Sequence, residues 1–282
     1  MTSRLKFADR LALVATPLAA IAAIAGLLLP DLYRDTADSI RQARATDLVT
    51  ILVAVPALAI GLWRARAGSV GGRFVALAAV GYLAYTYAIY AFSVVIAPLT
   101  PVHIAILGLA TWSLVLTGFA LDDATRDRAS RFRFPRRTTG GFLIAVAGVF
   151  AMLWLSQIAG AIGSGRLPAA VSDLGLPTSP VYPLDLAFAV PLITEAGVWL
   201  IRRDRRGPAG AAVGLAFLTI LGLSVLAIFA FEAAAGIAVE VPPIAIFGVV
   251  TATAAVLLGA GLMGSARETP DGASELLVSV PA

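Results

Sequence analysis

The sequence predicts an all-α membrane protein of eight transmembrane helices, arranged as two parallel four-helix repeats with both termini cytoplasmic. Three observations lead there. The chain of 282 residues is 59% hydrophobic and only 13% charged, with a mean hydropathy of +0.90, whereas soluble domains carry about a quarter charged residues. Apolar runs long enough to cross a bilayer recur along the whole chain. The basic residues gather in alternate connections between those runs, as the positive-inside rule requires.

The runs fall at about residues 11–29, 48–63, 74–97, 102–121, 141–162, 184–201, 211–231 and 244–263. The first follows a basic start but exceeds the ~7–15 apolar residues of a signal peptide, so it reads as an uncleaved span. With the N-terminus inside, the inner segments hold Arg4, Lys6 and Arg10, then Arg64, Arg66 and Arg73, then the cluster from Arg126 to Arg137, then Arg202 to Arg206, and Arg267. Only Arg34, Arg41, Arg44 and Arg166 fall outside. An even number of spans with both ends on one side follows.

Between the first two spans, residues 31–46 place Leu32, Thr36, Ile40 and Ala43 on one helical face, the pattern of a short helix lying on the outer surface. The corresponding segment of the second half, 163–183, contains Pro168, Pro177, Pro180 and Pro183 with three glycines. It cannot continue as one helix and is expected to form a shaped loop over the outer mouth. The tail from Gly264, with Pro270, Gly272 and Pro281, reads as a disordered cytoplasmic segment.

Internal likeness divides the spans into residues 1–138 and 139–263. DLVTILVAVPALAIGLWRARAGSVGG (47–72) and DLAFAVPLITEAGVWLIRRDRRGPAG (185–210) both open on Asp-Leu, carry Ala-Val-Pro and close on arginines and glycines. Asp47 to Arg64 and Asp185 to Arg202 each span about 26 Å as helix, at ~1.5 Å per residue. Four spans per half make the repeat parallel, with ligand sites expected where the halves meet.

The candidate site residues are the polar groups inside this apolar sequence. Asp47 and Asp185 open equivalent spans, either as helix caps or as a pair of carboxylates at an outer cation or proton entry. Glu195 lies ten residues into the sixth run, where an acid costs about 3 kcal/mol to insert and marks a functional site by default. Its ordinary alternatives are a hydrogen bond between helices or snorkelling toward Arg202 and Arg203. The third run carries Tyr82, Tyr85, Tyr87 and Tyr90; Tyr82 and Tyr85 share one face and Tyr87 and Tyr90 another, and each buried hydroxyl needs a partner. They line a polar interior or pack as aromatics. His103 opens the fourth span near the outer surface, as an interface residue or a proton carrier. Ser156 and Gln157 are candidates for interhelical hydrogen bonds, and Pro56 and Pro191 should kink their helices. Glu195 is expected inside the bundle, near Tyr82 or Tyr85.

The stretches GYLAYTYAIYAFSV at 81–94 and VYPLDLAFAVP at 181–191, with the repeated Asp-Leu openings, resemble a group of uncharacterised bacterial multi-pass membrane proteins. The resemblance implies a bacterial inner-membrane location and no particular activity.

Composition excludes several classes. Without cysteine there are no disulfides, thiol catalysis or thiolate metal sites, and one histidine rules out bis-histidine haem and histidine-rich metal clusters. No span carries the lysine that a retinal Schiff base needs. The arginines lie in short loops without an aromatic platform, so nucleic acid is a poor partner. Neither cofactor nor metal is called for, and no catalytic signature is present. The first functional reading is an outward-facing polar pocket between the repeats that binds or transports a small molecule or cation. Two others stay open. One is a membrane enzyme using Glu195, Asp185 or His103 as acid–base groups on a lipid. The other is a non-catalytic partner of another membrane protein, and self-association is equally compatible with the apolar surface.

Overall fold

The computed structural model describes residues 3–121 and 123–263; the tail expected to be disordered lies outside them. Eight helices are long and apolar enough to cross a membrane: α1 (Ser3–Leu28), α2 (Ala37–Arg66), α3 (Val70–Ser93), α4 (Thr100–Ala120), α5 (Arg136–Ser164), α6 (Val181–Ile201), α7 (Gly207–Ala234) and α8 (Val241–Met263). The protein is an integral, multi-pass, all-α membrane protein. Short helices at Asp123–Ala129 and Ala169–Ser172 sit in the connections. Consecutive spans run in opposite directions, so the arginine-bearing connections share one end of the bundle and the residues around 29–36, 94–99, 165–180 and 235–240 share the other.

The two halves pack differently. In the first, α1 lies along α4, α4 along α3, α3 along α2, and α2 returns to α1, closing a four-helix ring. In the second, α5, α6, α7 and α8 pack in series. α5 and α8 meet through the rings of Phe150 and Phe247, 5.3 Å apart. α7 also lies along α2 and α3 and ties the halves together. The ring of the first half and the row of the second leave space between α2, α3, α5, α6, α7 and α8.

Small side chains set how closely the spans approach. The core of the first half is rich in alanine, including Ala12, Ala19, Ala22, Ala54, Ala76 and Ala79, which lets backbones pack without large side chains between them. A Cβ on Gly61 would sit 2.8 Å from the Ala76 amide nitrogen, and one on Gly197 would sit 2.7 Å from the Gly140 carbonyl. Backbone atoms cannot step aside as a side-chain tip can. Gly197→Ala should therefore lose about 1–3 kcal/mol by overpacking, whereas Gly148→Ala, where a Cβ meets nothing within 4 Å, should leave the melting temperature in detergent unchanged. Equal melting temperatures for the two variants would show that α5 and α6 are not in close contact.

α2 and α6 contain the same irregularity. Each has five residues of π-helix, Thr50–Ala54 and Asp185–Ala189, followed by a twelve-residue α-helix with proline at its second position. The Val55 amide donates to the Thr50 carbonyl, and the Val190 amide to that of Asp185. Proline has no amide hydrogen, so the regular ladder fails at Pro56 and Pro191, and the widened turn before each absorbs the mismatch. Both π segments and both prolines are displaced by 135 residues, since 185 − 50 and 191 − 56 agree. In that register Thr50, not Asp47, matches Asp185. The Asp-Leu openings align the two spans three residues differently from the π segments and the Ala-Val-Pro motifs, which share the 135-residue displacement.

Residues 37–46 also correct the sequence reading. They do not lie on the surface as a separate helix; they form the first turns of α2, capped by the Thr36 side chain, which accepts from the Ser39 amide. Ala43, Ala45 and Asp47 are buried there, against α1 and α7. Packing against two spans holds this stretch upright. Arg73 is not a free loop arginine: it is buried on α3 and forms a two-pronged ion pair with the buried Asp9 of α1, its second contact being 3.1 Å.

Candidate ligand-binding cavity

A cavity of about 630 Å³ occupies the space between the halves. It starts under the loop at the arginine-poor end, where Val171, Leu174 and Pro180 line it, and reaches Ile193, about half-way along α6. The loop expected over the outer mouth is there. It is tied down by the Thr36 hydroxyl, which donates to the Asp173 carbonyl at 3.2 Å, and by that of Ser39, which donates to the Leu174 carbonyl at 3.3 Å. The walls are mainly apolar, with Phe150, Phe217, Phe229 and Phe247 prominent.

Asp185 is the main polar group in the deeper wall. It sits at the start of the α6 π segment with 8% of its surface exposed. Tyr85 of α3 donates to Oδ1 at 2.9 Å and the Trp154 indole of α5 donates to Oδ2 at 2.7 Å. One turn earlier, Tyr182 donates to Gln157 Oε1 at 2.7 Å. Both donors to Asp185 are neutral, and each carboxylate oxygen keeps capacity for a further bond. The geometry makes Asp185 a fixed acceptor facing a largely apolar chamber.

Asp47 has a different role. It is 1% exposed, and it accepts from Tyr33 at 2.6 Å and from Tyr90 at 3.2 Å. Tyr90 donates as well to the Ala43 carbonyl at 2.9 Å. Tyr33, in the connection before α2, has its phenol held well above the usual range, first by burial and then by the neighbouring Asp47 charge. It therefore remains a hydrogen-bond donor at every physiological pH. Asp47 does not line the cavity; it pins the connection between α1 and α2 to α3.

The remaining candidates divide by position. Tyr82, fully buried, bridges the halves: its hydroxyl lies 3.3 Å from Ser224 Oγ and 3.4 Å from Thr50 Oγ1. Ser224 in turn reaches Thr46 at 3.4 Å, and both line the cavity. Tyr87 donates to the Ala19 carbonyl at 3.4 Å and lies behind the wall. His103 is 2% exposed, packs between Tyr87 and Tyr90 with ring centroids 5.6 and 5.0 Å away, and has no hydrogen-bond partner at either nitrogen. It does not line the cavity.

Glu195 is not inside the bundle, contrary to the sequence expectation. Its side chain is exposed, on the outward face of α6 with Phe188 and Leu192, while Ile193, Ala196, Gly197 and Leu200 form the buried face. Its charge is felt by Arg206, whose guanidinium lies 4.2 Å over the Trp199 ring. In the same loop, hydrogen bonds from Arg206 draw the half-buried Asp204 down to about 2, so the turn before α7 stays ionised at neutral pH.

The cavity contains residues that the sequence reading did not select. These are Trp154 and Ser224; each sits on an apolar span with no local pattern to mark it. Gln157 was expected to bond between helices, and it does. Among the described residues no three His, Cys, Asp or Glu side chains gather as a metal-ligand set. No family model matches the chain, and neither the curated proteins nor the solved structures contain a significant match.

Proposed function

We propose that this protein binds a small molecule in the cavity between its halves and carries it across, or senses it at, a bacterial inner membrane. The arginine-rich end, with both termini, faces the cytoplasm in this reading, and the halves are parallel repeats that have diverged. The observation that carries the proposal is the chamber of about 630 Å³ with the buried Asp185 carboxylate in its wall. Its size lies within the ~300–1,000 Å³ of small-molecule sites, and a few fixed polar groups in an apolar lining are typical of them. The π segments of α2 and α6, at the same place in each span, are suitable hinges for the opening and closing that transport requires. The lipid-enzyme reading is weaker because its three acid–base candidates are dispersed: Asp185 in the cavity, His103 behind its wall and Glu195 on the outside.

The chain has no cysteine, so single cysteines report directly on access. Val225→Cys, in the cavity, should react with a membrane-impermeant methanethiosulfonate reagent added from the arginine-poor side, and Leu215→Cys, fully buried elsewhere, should not. A thermal-shift screen of small amphipathic molecules should give hits that Val225→Trp, which narrows the chamber, weakens or abolishes. Hits unaffected by Val225→Trp, together with an unreactive Val225→Cys, would disprove binding at this site.

A further inference from the structure

We propose that the cavity is built for an organic cation, a molecule with a small apolar body and one ammonium-type head. The assignment rests on the cavity reading above and names its ligand class. The chain as a whole is basic, with 21 Lys and Arg against 17 Asp and Glu. The cavity reverses that balance. Asp35, Asp185 and Glu232 line it and, among the described residues, no lysine, arginine or histidine does. Of the three arginines nearest its mouth in sequence, Arg41 pairs with Asp38 and Arg44 donates to the Pro30 carbonyl at 3.4 Å, while Arg34, next to Asp35, is not among the lining residues.

The deepest of the three acids has the right surroundings. Asp185 is bonded only to the neutral Tyr85 and Trp154, so its carboxylate has no cation in the cavity wall to pair with. An isolated buried charge is costly unless it is paired, and a ligand cation would supply the pair. Beside it runs a continuous aromatic wall. Trp154 lies 5.6 Å from Tyr182 and 6.2 Å from Phe150, Phe150 lies 5.3 Å from Phe247, and Phe247 lies 6.0 Å from Phe229. Aromatic faces attract organic cations through the ring quadrupole, and desolvated sites strengthen the effect. Toward the mouth, Asp35 holds one carboxylate oxygen on the Val95 amide at 2.9 Å, while the other is buried without a partner.

A metal cation fits poorly, because hard cations want six to eight oxygens and the wall around Asp185 is mostly rings and aliphatic carbon. An anion would face three carboxylates. The head of an organic cation therefore belongs against Asp185 and Trp154, with its apolar body toward Phe150 and Phe247.

The test uses the full-length protein in lipid nanodiscs and three probes with one tail: hexyltrimethylammonium, hexan-1-ol and hexanoate. Isothermal titration should show the cation binding about tenfold or more tightly than the alcohol, a difference of about 1.4 kcal/mol per tenfold, with no saturable hexanoate binding. Asp185→Asn should remove that preference and leave hexanol unchanged. Trp154→Leu, which spares the Tyr85 bond to Asp185, should weaken the cation alone and serves if Asp185→Asn does not fold. Equal affinity for cation and alcohol, tighter hexanoate, or cation binding untouched by both variants would overturn the ligand class while leaving the cavity reading intact. If none of the three probes binds and Val225→Trp changes no ligand response, both fail together.

Discussion

Asp9→Leu is expected to be the most destabilising single substitution in the first half, at about 3–5 kcal/mol. Asp9 and Arg73 are 4% and 7% exposed and meet among Ala12, Leu62, Ala76 and Val80. Removing the acid leaves the buried guanidinium without its carboxylate. Removing both charges is a different experiment, because a buried pair gains in Coulomb attraction roughly what it loses in desolvation. Asp9→Leu with Arg73→Met should therefore recover most of the loss. Each kcal/mol corresponds to about 2–4 °C in a domain of ~150–250 residues, so a melting series in one detergent resolves the order wild type, double variant, single variant. A single variant as stable as wild type would place the pair in water, at the membrane surface, rather than inside the bundle.

The second large effect is expected at Asp47. In Asp47→Leu, Tyr33 loses its acceptor outright, while Tyr90 keeps the Ala43 carbonyl. An orphaned buried hydroxyl costs about 1–3 kcal/mol. Adding Tyr33→Phe removes the orphan and should restore much of the stability. Asp47→Asn, which retains one acceptor oxygen, should cost less than Asp47→Leu. Ligand affinity should not change in either, because Asp47 lies outside the cavity. Asp185→Asn should do the reverse, altering cation affinity with a smaller effect on melting. If Asp47→Asn weakens ligand binding as much as Asp185→Asn, the two carboxylates belong to one site and the separation drawn between them is wrong.

That separation shows how far residue order reached. The equal spacing of Asp47 and Asp185 from their arginines made them look equivalent, and the shared Asp-Leu strengthened the likeness. The π segments and prolines align the spans three residues differently, pairing Asp185 with Thr50. The face-sharing of the tyrosines was legible, since Tyr82 and Tyr85 point to the α7 and α6 side while Tyr87 and Tyr90 flank His103. Glu195 was misplaced because depth along a helix follows from counting residues, but direction around it depends on which neighbour arrives.

Apolar length and arginine placement alone determined that the chain crosses a membrane eight times, because the bilayer imposes one thickness and one charge rule on every span. Proline positions alone located the breaks in α2 and α6. Only the tertiary structure decided that α1 closes on α4 while α5 meets α8 through two rings, and so where a chamber opens. Helix periodicity marks a face, but in a membrane protein lipid and neighbouring helices are equally apolar, so no hydrophobic pattern says which face meets a partner. The partners of Asp185, Asp47 and Asp9 lie 31 to 100, 14 to 43 and 64 residues away, and packing alone brings them together.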